Sequence, residues 1–307
     1  MSKTQSCKES SSNAGEHLYG TVPRVDHWFL LEYRDHWEKD SLEKSSVSRD
    51  VKNEMHNLLE SFKNSRFQLI KSDNSGDNDI CFYYINSTEF QPKAYKFVLN
   101  NYEDIMQLNL ADLIERGDIN DSVTDEVLVL VCTHGSYDSC CGKYGVQVYN
   151  EIQNNSKIKV WRTTHVGSHR FSANLVMLPQ GIYYGRVNTE NVGEIINSHL
   201  NNEIYLDCFR GRCCYSQPSQ VSDFFLRREL KKYGIFDIRR EFEKDRDIYI
   251  AVEFKIENED LGYSINSVVF NDAISIKASC RDDKPTPIPQ FYFYSLIPYT
   301  PKETKEG

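Results

Sequence analysis

The spacing of hydrophobic residues changes period several times along this chain, and each change predicts an element. From His27 the run HWFLLEY is apolar and aromatic, as in a strand. Beyond Ser48, a suitable N-cap, Val51, Met55, Leu58, Leu59 and Phe62 recur at helical spacing up to a break at Asn64-Ser65. Strands are predicted at Phe67–Ile70, Ile80–Ile85 and Tyr95–Leu99, with the turn-rich KSDNSGDND between the first two. A helix over Asp104–Ile114 ends at Gly117. Together these form a mixed α/β unit over 21–123.

The second unit, 124–205, starts at Glu126 with VLVLVC, a continuous run suited to a strand buried on both faces and ending at Cys132. A helix is predicted after Gly142 in KYGVQVYNEIQ, then strands in KIKVWRT, NLVMLP and IYYGRV. A last helix runs over Thr189–Leu200, with Thr189 as cap and Glu190 in its first turn. Strand, helix, strand, loop, strand, strand, helix is the order of a thioredoxin-like domain. The first unit shares a loosely similar order.

A third region, 206–300, carries a predicted helix over Ser219–Lys232 and strands in RDIYIAVEF, INSVVF, AISIKAS and FYFYSL. PTPIP reads as an edge segment. Residues 1–20 and 301–307 read as tails, the first disordered because it has little to bury. The fold class expected is therefore α/β: a thioredoxin-like domain preceded by a mixed α/β unit and followed by a helix and a strand-rich region.

Composition narrows the function. With 307 residues, 39% of them hydrophobic, the chain can build a proper core. A net charge of −9 offers no basic field for nucleic acid or an anionic membrane surface, and suits docking on basic protein partners. No run reaches the roughly eighteen apolar residues needed to cross a bilayer, and the polar start MSKTQSCKESSSNAGE has no secretory pattern. The expected location is the cytoplasm. Nine cysteines in a reducing compartment point to metal or redox chemistry rather than a disulfide framework.

The candidate chemistry lies in CTHGSYDSCCG, from Cys132 to Gly142, and in His165-Val-Gly-Ser-His169. One cysteine ends a buried strand and the next pair precedes a helix, where α/β folds place their sites and where a thiolate is stabilised. Gly135, Gly142 and Gly167 let the backbone approach a compact centre. Two thiolates with two imidazoles suit tetrahedral zinc or an iron–sulfur cluster, and the donor set alone does not separate them. The eight residues between Cys132 and Cys141 are many for a zinc knuckle. The alternatives are a zinc-stabilised structural or interaction module and a thiol enzyme with Cys140 or Cys141 as nucleophile and Cys132 resolving, although the usual two-residue dithiol spacing is absent.

THVGSHRFSANLVMLPQGIYYGRV and VCTHGSYDSCCGKYG resemble the two hallmark blocks of the sucrase/ferredoxin-like family. The similarity continues through TVPRVDHWFLLEY and RGRCCYSQPSQ, roughly from Gly20 to Phe254. This resemblance implies a thioredoxin-like ferredoxin domain holding a [2Fe-2S] cluster on Cys132, Cys141, His165 and His169, with Cys140 as the alternative ligand. It implies an electron carrier served by a separate reductase or acceptor protein. No sucrase activity is expected, because no carboxylate pair is placed for glycoside hydrolysis, and no dinucleotide fingerprint is present. His134 and Asp138 are expected to hold the loop, and Arg170 to meet solvent, the cluster or a partner. Cys208, Cys213 and Cys214 are expected to be bystanders, Cys7, Cys81 and Cys280 ordinary isolated thiols, and Tyr183 and Tyr184 core residues.

Overall fold

The computed structural model describes residues 5–73, 79–155, 158–246 and 249–301. Most of KSDNSGDND, the first residue of KIKVWRT, Asp247 and Ile248 of RDIYIAVEF and the expected carboxyl tail lie outside the described residues. In chain order the first half contains α1 (Cys7–Asn13), β1 (His27–Glu32), α2 (Arg49–Ser61), β2 (Ser65–Lys71), β3 (Ile80–Asn86), β4 (Lys93–Leu99), α3 (Asp104–Gln107), α4 (Leu110–Arg116) and β5 (Val123–Thr124). The second half contains β6 (Leu128–Cys132), α5 (Ser139–Asn155), β7 (Val160–Thr163), β8 (Leu175–Leu178), β9 (Ile182–Tyr184), α6 (Val192–Leu200) and β10 (Phe209–Arg212).

These strands share one sheet, in the order β10-β9-β8-β6-β7-β2-β1-β3-β4-β5. In the second half β6 pairs parallel with β7 and antiparallel with β8, which pairs antiparallel with β9. That is a βαβ unit followed by a ββα unit, the thioredoxin-like arrangement. The first half repeats it: β1 is parallel to β2, antiparallel to β3, and β3 antiparallel to β4. The loosely similar orders thus become the same pairing pattern. The halves meet where β2 and β7 pair antiparallel through Ile70↔Thr163 and Lys71↔Arg162.

Alternation along the strands divides the core. Trp28 and Leu30 face a layer that runs across the seam through Ile70, Leu128, Leu130 and Trp161. Phe29 and Leu31 face Val51, Met55 and Leu58 of α2, whereas Val129 and Val131 face Val148, Tyr149 and Ile152 of α5. A fourth core lies between α7 (Gln217–Leu230) and a four-stranded antiparallel sheet of β11 (Ile238–Arg246), β12 (Tyr249–Ile256), β13 (Gly262–Ile276) and β14 (Thr286–Tyr299).

Several expectations are corrected. The amino-terminal segment is not a disordered tail: Ser6 caps α1 in a reciprocal box with Glu9, and Cys7, Ser11 and Glu16 are buried. Phe209–Arg212 belongs to the large sheet, not to the third region. The helix after the cysteines starts at Ser139, because the Asp138 carboxylate accepts from Cys140 N at 2.9 Å, so both adjacent cysteines lie in its first turn. The helix before Leu200 starts at Val192, with Asn191 rather than Thr189 at its N-cap. INSVVF and AISIKAS form one strand interrupted by a register shift between Phe270 and Ile274. PTPIP and FYFYSL likewise form one strand, on the sheet edge where proline costs no ladder bond.

His199 of α6 is 4% exposed, and burial pushes its pKa down from 6.5 to about 4. Between those values the unfolded chain binds the proton and the folded chain does not, so stability falls as pH falls through that window. Lowering the pH from 7 to 5 should remove about 2 kcal/mol through this group. Urea unfolding of the wild type and His199→Gln at both pH values checks this: the variant should lose that much less.

Candidate metal centre

Because β6 and β7 run parallel, their carboxyl ends open on the same edge, and the loops leaving them converge there. Cys132 is the last residue of β6, Cys140 and Cys141 lie in the first turn of α5, and His165 to His169 follow β7. The donor atoms of Cys132, Cys141 and His165 all lie within 4.8 Å of one another, with Cys141 Sγ 3.7 Å from His165 Nδ1. His169 is outside that grouping, but its ring centroid is 5.3 Å from that of His165. The His169 ring nitrogens are both enclosed, and Nε2 lies 3.6 Å from Asp138 Oδ2. The adjacent Cys140 faces away, its sulfur 3.5 Å from that of Cys7 and 3.2 Å from that of Cys280.

The sulfurs are deep and the imidazoles shallow. Cys132 and Cys141 are 1% and 0% exposed, while both histidines are half-buried. The Cys141 thiol holds Cys132 well below the usual thiol range, with burial opposing and His165 reinforcing the shift. The contact thus pushes the two thiols in opposite directions, Cys132 down and Cys141 up. Burial lowers the pKa of His169, with Asp138 opposing. A nucleophile enclosed in this way has no access to a substrate, which weighs against the thiol-enzyme alternative.

Both halves of the sheet position the histidine loop. Arg66 Nη2 on β2 donates to the His165 carbonyl at 2.7 Å, Gln68 Nε2 adds a longer bond, and Thr164 Oγ1 donates to Gln68 Oε1 at 2.6 Å. His134 Nε2 donates to the Glu38 carbonyl at 2.8 Å, while its Nδ1 accepts from His165 N at 3.2 Å. These bonds fix one neutral tautomer, and burial lowers its pKa further. Tyr137 stacks on His165 with ring centroids 3.9 Å apart, and Ser172 Oγ lies 3.7 Å from Cys141 Sγ.

The loop is also tied to the far edge of the sheet. Fully buried Arg210 donates to Asn174 Oδ1 and to the Thr21 carbonyl, and Asn174 Nδ2 donates to the Ser168 carbonyl between the two histidines. Arg170 is not free for a partner, because its Nε donates to buried Glu16 at 2.8 Å. Sequence reasoning missed Tyr137, Ser172, Asn174 and Arg210 as supports, although all four lie in the blocks quoted above. It also missed Gly145, where a Cβ would fall 2.0 Å from the Cys132 carbonyl oxygen; the Gly135 and Gly142 backbones lie against each other. Cys208, Cys213 and Cys214 enter three different core clusters and form no common site. Tyr183 and Tyr184 are fully buried. Cys7 and Cys280 are not isolated, since they meet at Cys140.

The sucrase/ferredoxin-like family pattern matches residues 18–211, and the chain belongs to that family. A protein of Meyerozyma guilliermondii named altered inheritance of mitochondria protein 32 is 32% identical over 135 residues, 40% of this chain and 46% of that one. Its namesake in Debaryomyces hansenii is 23% identical over 155 residues, 47% and 56% of the respective chains. The chain thus spans about half the length of these curated relatives. Among solved structures, a cysteine-to-serine variant of the thioredoxin-like [2Fe-2S] ferredoxin from Aquifex aeolicus matches at 21% identity. The match covers 27% of this chain and 96% of that one, with a TM-score of 0.24. No helix among the described residues is long and apolar enough to cross a membrane.

Gly145→Ala should destabilise the fold by about 2 kcal/mol, since the methyl meets backbone rather than a movable side chain. Gly193→Ala, in open space on α6, should be neutral or slightly stabilising. Denaturant midpoints of the two variants, compared with wild type, check the contrast.

Proposed function

We propose that the chain holds a [2Fe-2S] cluster on Cys132, Cys141, His165 and His169 and serves as an electron carrier. The observation that carries this reading is the convergence of two enclosed sulfurs, Cys132 and Cys141, with the His165 imidazole within 4.8 Å of both and the His169 ring 5.3 Å from that of His165. His169 also stands apart from the tight grouping of the other three donors, which suits a binuclear centre better than a single tetrahedral ion. When bound, such a centre supplies one-electron transfer at a potential raised by neutral imidazole ligands.

The chain's own residues set the conditions. Arg66, Gln68 and His134 orient His165, Asn174 and Ser172 hold the turn around His169, and the core excludes water from the sulfurs. With Nδ1 turned to Cys141, His165 Nε2 is the nitrogen left to hold or release a proton. The net charge of −9 suits a basic reductase or acceptor protein, not nucleic acid or a membrane surface. We place this exchange in the cytoplasm. A zinc site on the same residues is the second reading, favoured only by the closeness of Cys132, Cys141 and His165.

Visible absorption and electron paramagnetic resonance of anaerobically purified protein separate the two, since a cluster is coloured and zinc is not. His165→Cys and His169→Cys should each raise the average g-value and lower the potential by on the order of 100 mV or more. Colourless wild-type protein with stoichiometric zinc on these four residues would sink the proposal. If proton loss at imidazole accompanies oxidation, the potential falls by about 59 mV per pH unit above the oxidised-state pKa; a flat titration between about pH 6 and 10 removes the coupling.

A further inference from the structure

Three cysteines from remote parts of the chain meet beside this centre without belonging to it. Cys7 opens α1, Cys140 is in the first turn of α5, and Cys280 lies between β13 and β14. Their sulfurs form a closed triangle: 3.5 Å from Cys7 to Cys140, 3.2 Å from Cys140 to Cys280 and 3.4 Å from Cys280 to Cys7. One Asp138 carboxylate oxygen joins them, the four donor atoms all lying within 4.8 Å of one another. Cys7 and Cys280 are outside the residues matched by the family pattern.

Packing alone does not explain this convergence. A thiol is a weak hydrogen-bond donor, and three gathered at sulfur–sulfur contact gain little from one another. A disulfide would use two and leave the third. Three thiolates and one carboxylate, by contrast, form a closed tetrahedral donor set for a soft divalent cation. Bonds of about 2.3 Å to sulfur place tetrahedral sulfurs about 3.8 Å apart, so the triangle needs to open by only a few tenths of an ångström. Lys8, whose ammonium lies 3.8 Å from the Tyr144 ring centroid, stands within electrostatic reach of Cys140 and offsets part of the negative charge.

We propose that Cys7, Cys140, Cys280 and Asp138 form a structural zinc site, separate from the Cys132–Cys141–His165–His169 centre, that staples the amino-terminal helix and the β13–β14 loop to the start of α5. Asp138 suits this role. Its Oδ1 accepts from Cys140 N at the start of α5, and its Oδ2 accepts from Cys280 N and Ser279 Oγ at 3.3 Å, so the carboxylate is already fixed towards both cysteines. The two centres are neighbours: the same Oδ2 lies 3.6 Å from His169 Nε2, while no sulfur is shared between them.

The test counts metals in full-length protein expressed with zinc and purified without chelator. One zinc per chain is expected in the wild type and in Cys132→Ser/Cys141→Ser. In Cys7→Ser/Cys280→Ser zinc should drop at least tenfold while the visible spectrum stays that of the wild type. Should that last variant not fold, Cys132→Ser/Cys141→Ser is stripped and titrated with Co2+, which should give tetrahedral d–d bands and sulfur charge transfer saturating at one equivalent. The proposal is overturned by protein with neither zinc nor Co2+ uptake, or by a Cys7–Cys280 disulfide in freshly isolated protein. It is also overturned by zinc that persists in Cys7→Ser/Cys280→Ser and vanishes in Cys132→Ser/Cys141→Ser.

Discussion

Two residue pairs, Ile70 with Thr163 and Lys71 with Arg162, join the two halves of the sheet, and much else in the molecule depends on them. Antiparallel pairing at this point brings β2 of the first half beside the loop that leaves β7, so Arg66 and Gln68 reach the His165 carbonyl. The same pairing lets one apolar layer run unbroken from Trp28 to Trp161. The first half has the same pairing pattern as the second and supplies one wall of the histidine loop.

The second wall comes from residues with no sequence pattern of their own. Glu38 offers only a carbonyl, Glu16 only a carboxylate for Arg170, and Arg281 a guanidinium that donates to the Ser136 carbonyl. Backbone acceptors and single ion pairs of this kind leave no periodicity to read. The loops over 133–141 and 165–170 are thus held by groups whose identity is set by geometry rather than by local propensity.

This difference explains what was legible in the sequence. VLVLVC, HWFLLEY and the Val51–Phe62 stripe were readable because burial on two faces or on one stripe imposes a period. The cysteine and histidine spacings, with the family blocks around them, singled out residues that the fold does bring to one edge. The long strands β13 and β14 appeared as fragments, because a register shift and two edge prolines break the alternation that marks a strand. Cys7 and Cys280 looked solitary because 273 positions separate them, and one sequence carries no signal for a contact that distant. The partner of Cys140 was hidden for the same reason, although its place beside Cys141 was in plain view.

That distance also orders events in time. A chain made from its amino end completes β6, α5 and β7, and with them both pairs of cluster-ligand candidates, while the residues that form β13 and β14 are still to be added. Until those are made, Asp138 lacks the Cys280 amide and Ser136 lacks Arg281, and α1 has no β13 to rest on, since Lys277 N donates to Ser10 Oγ only in the finished fold. The edge on which Cys132, Cys141, His165 and His169 lie therefore lacks these contacts until the last strands are made, and contacts of such long range are the slow ones to form. Access to that edge and its enclosure are thus separate stages in the life of the chain, and the last strands govern the second.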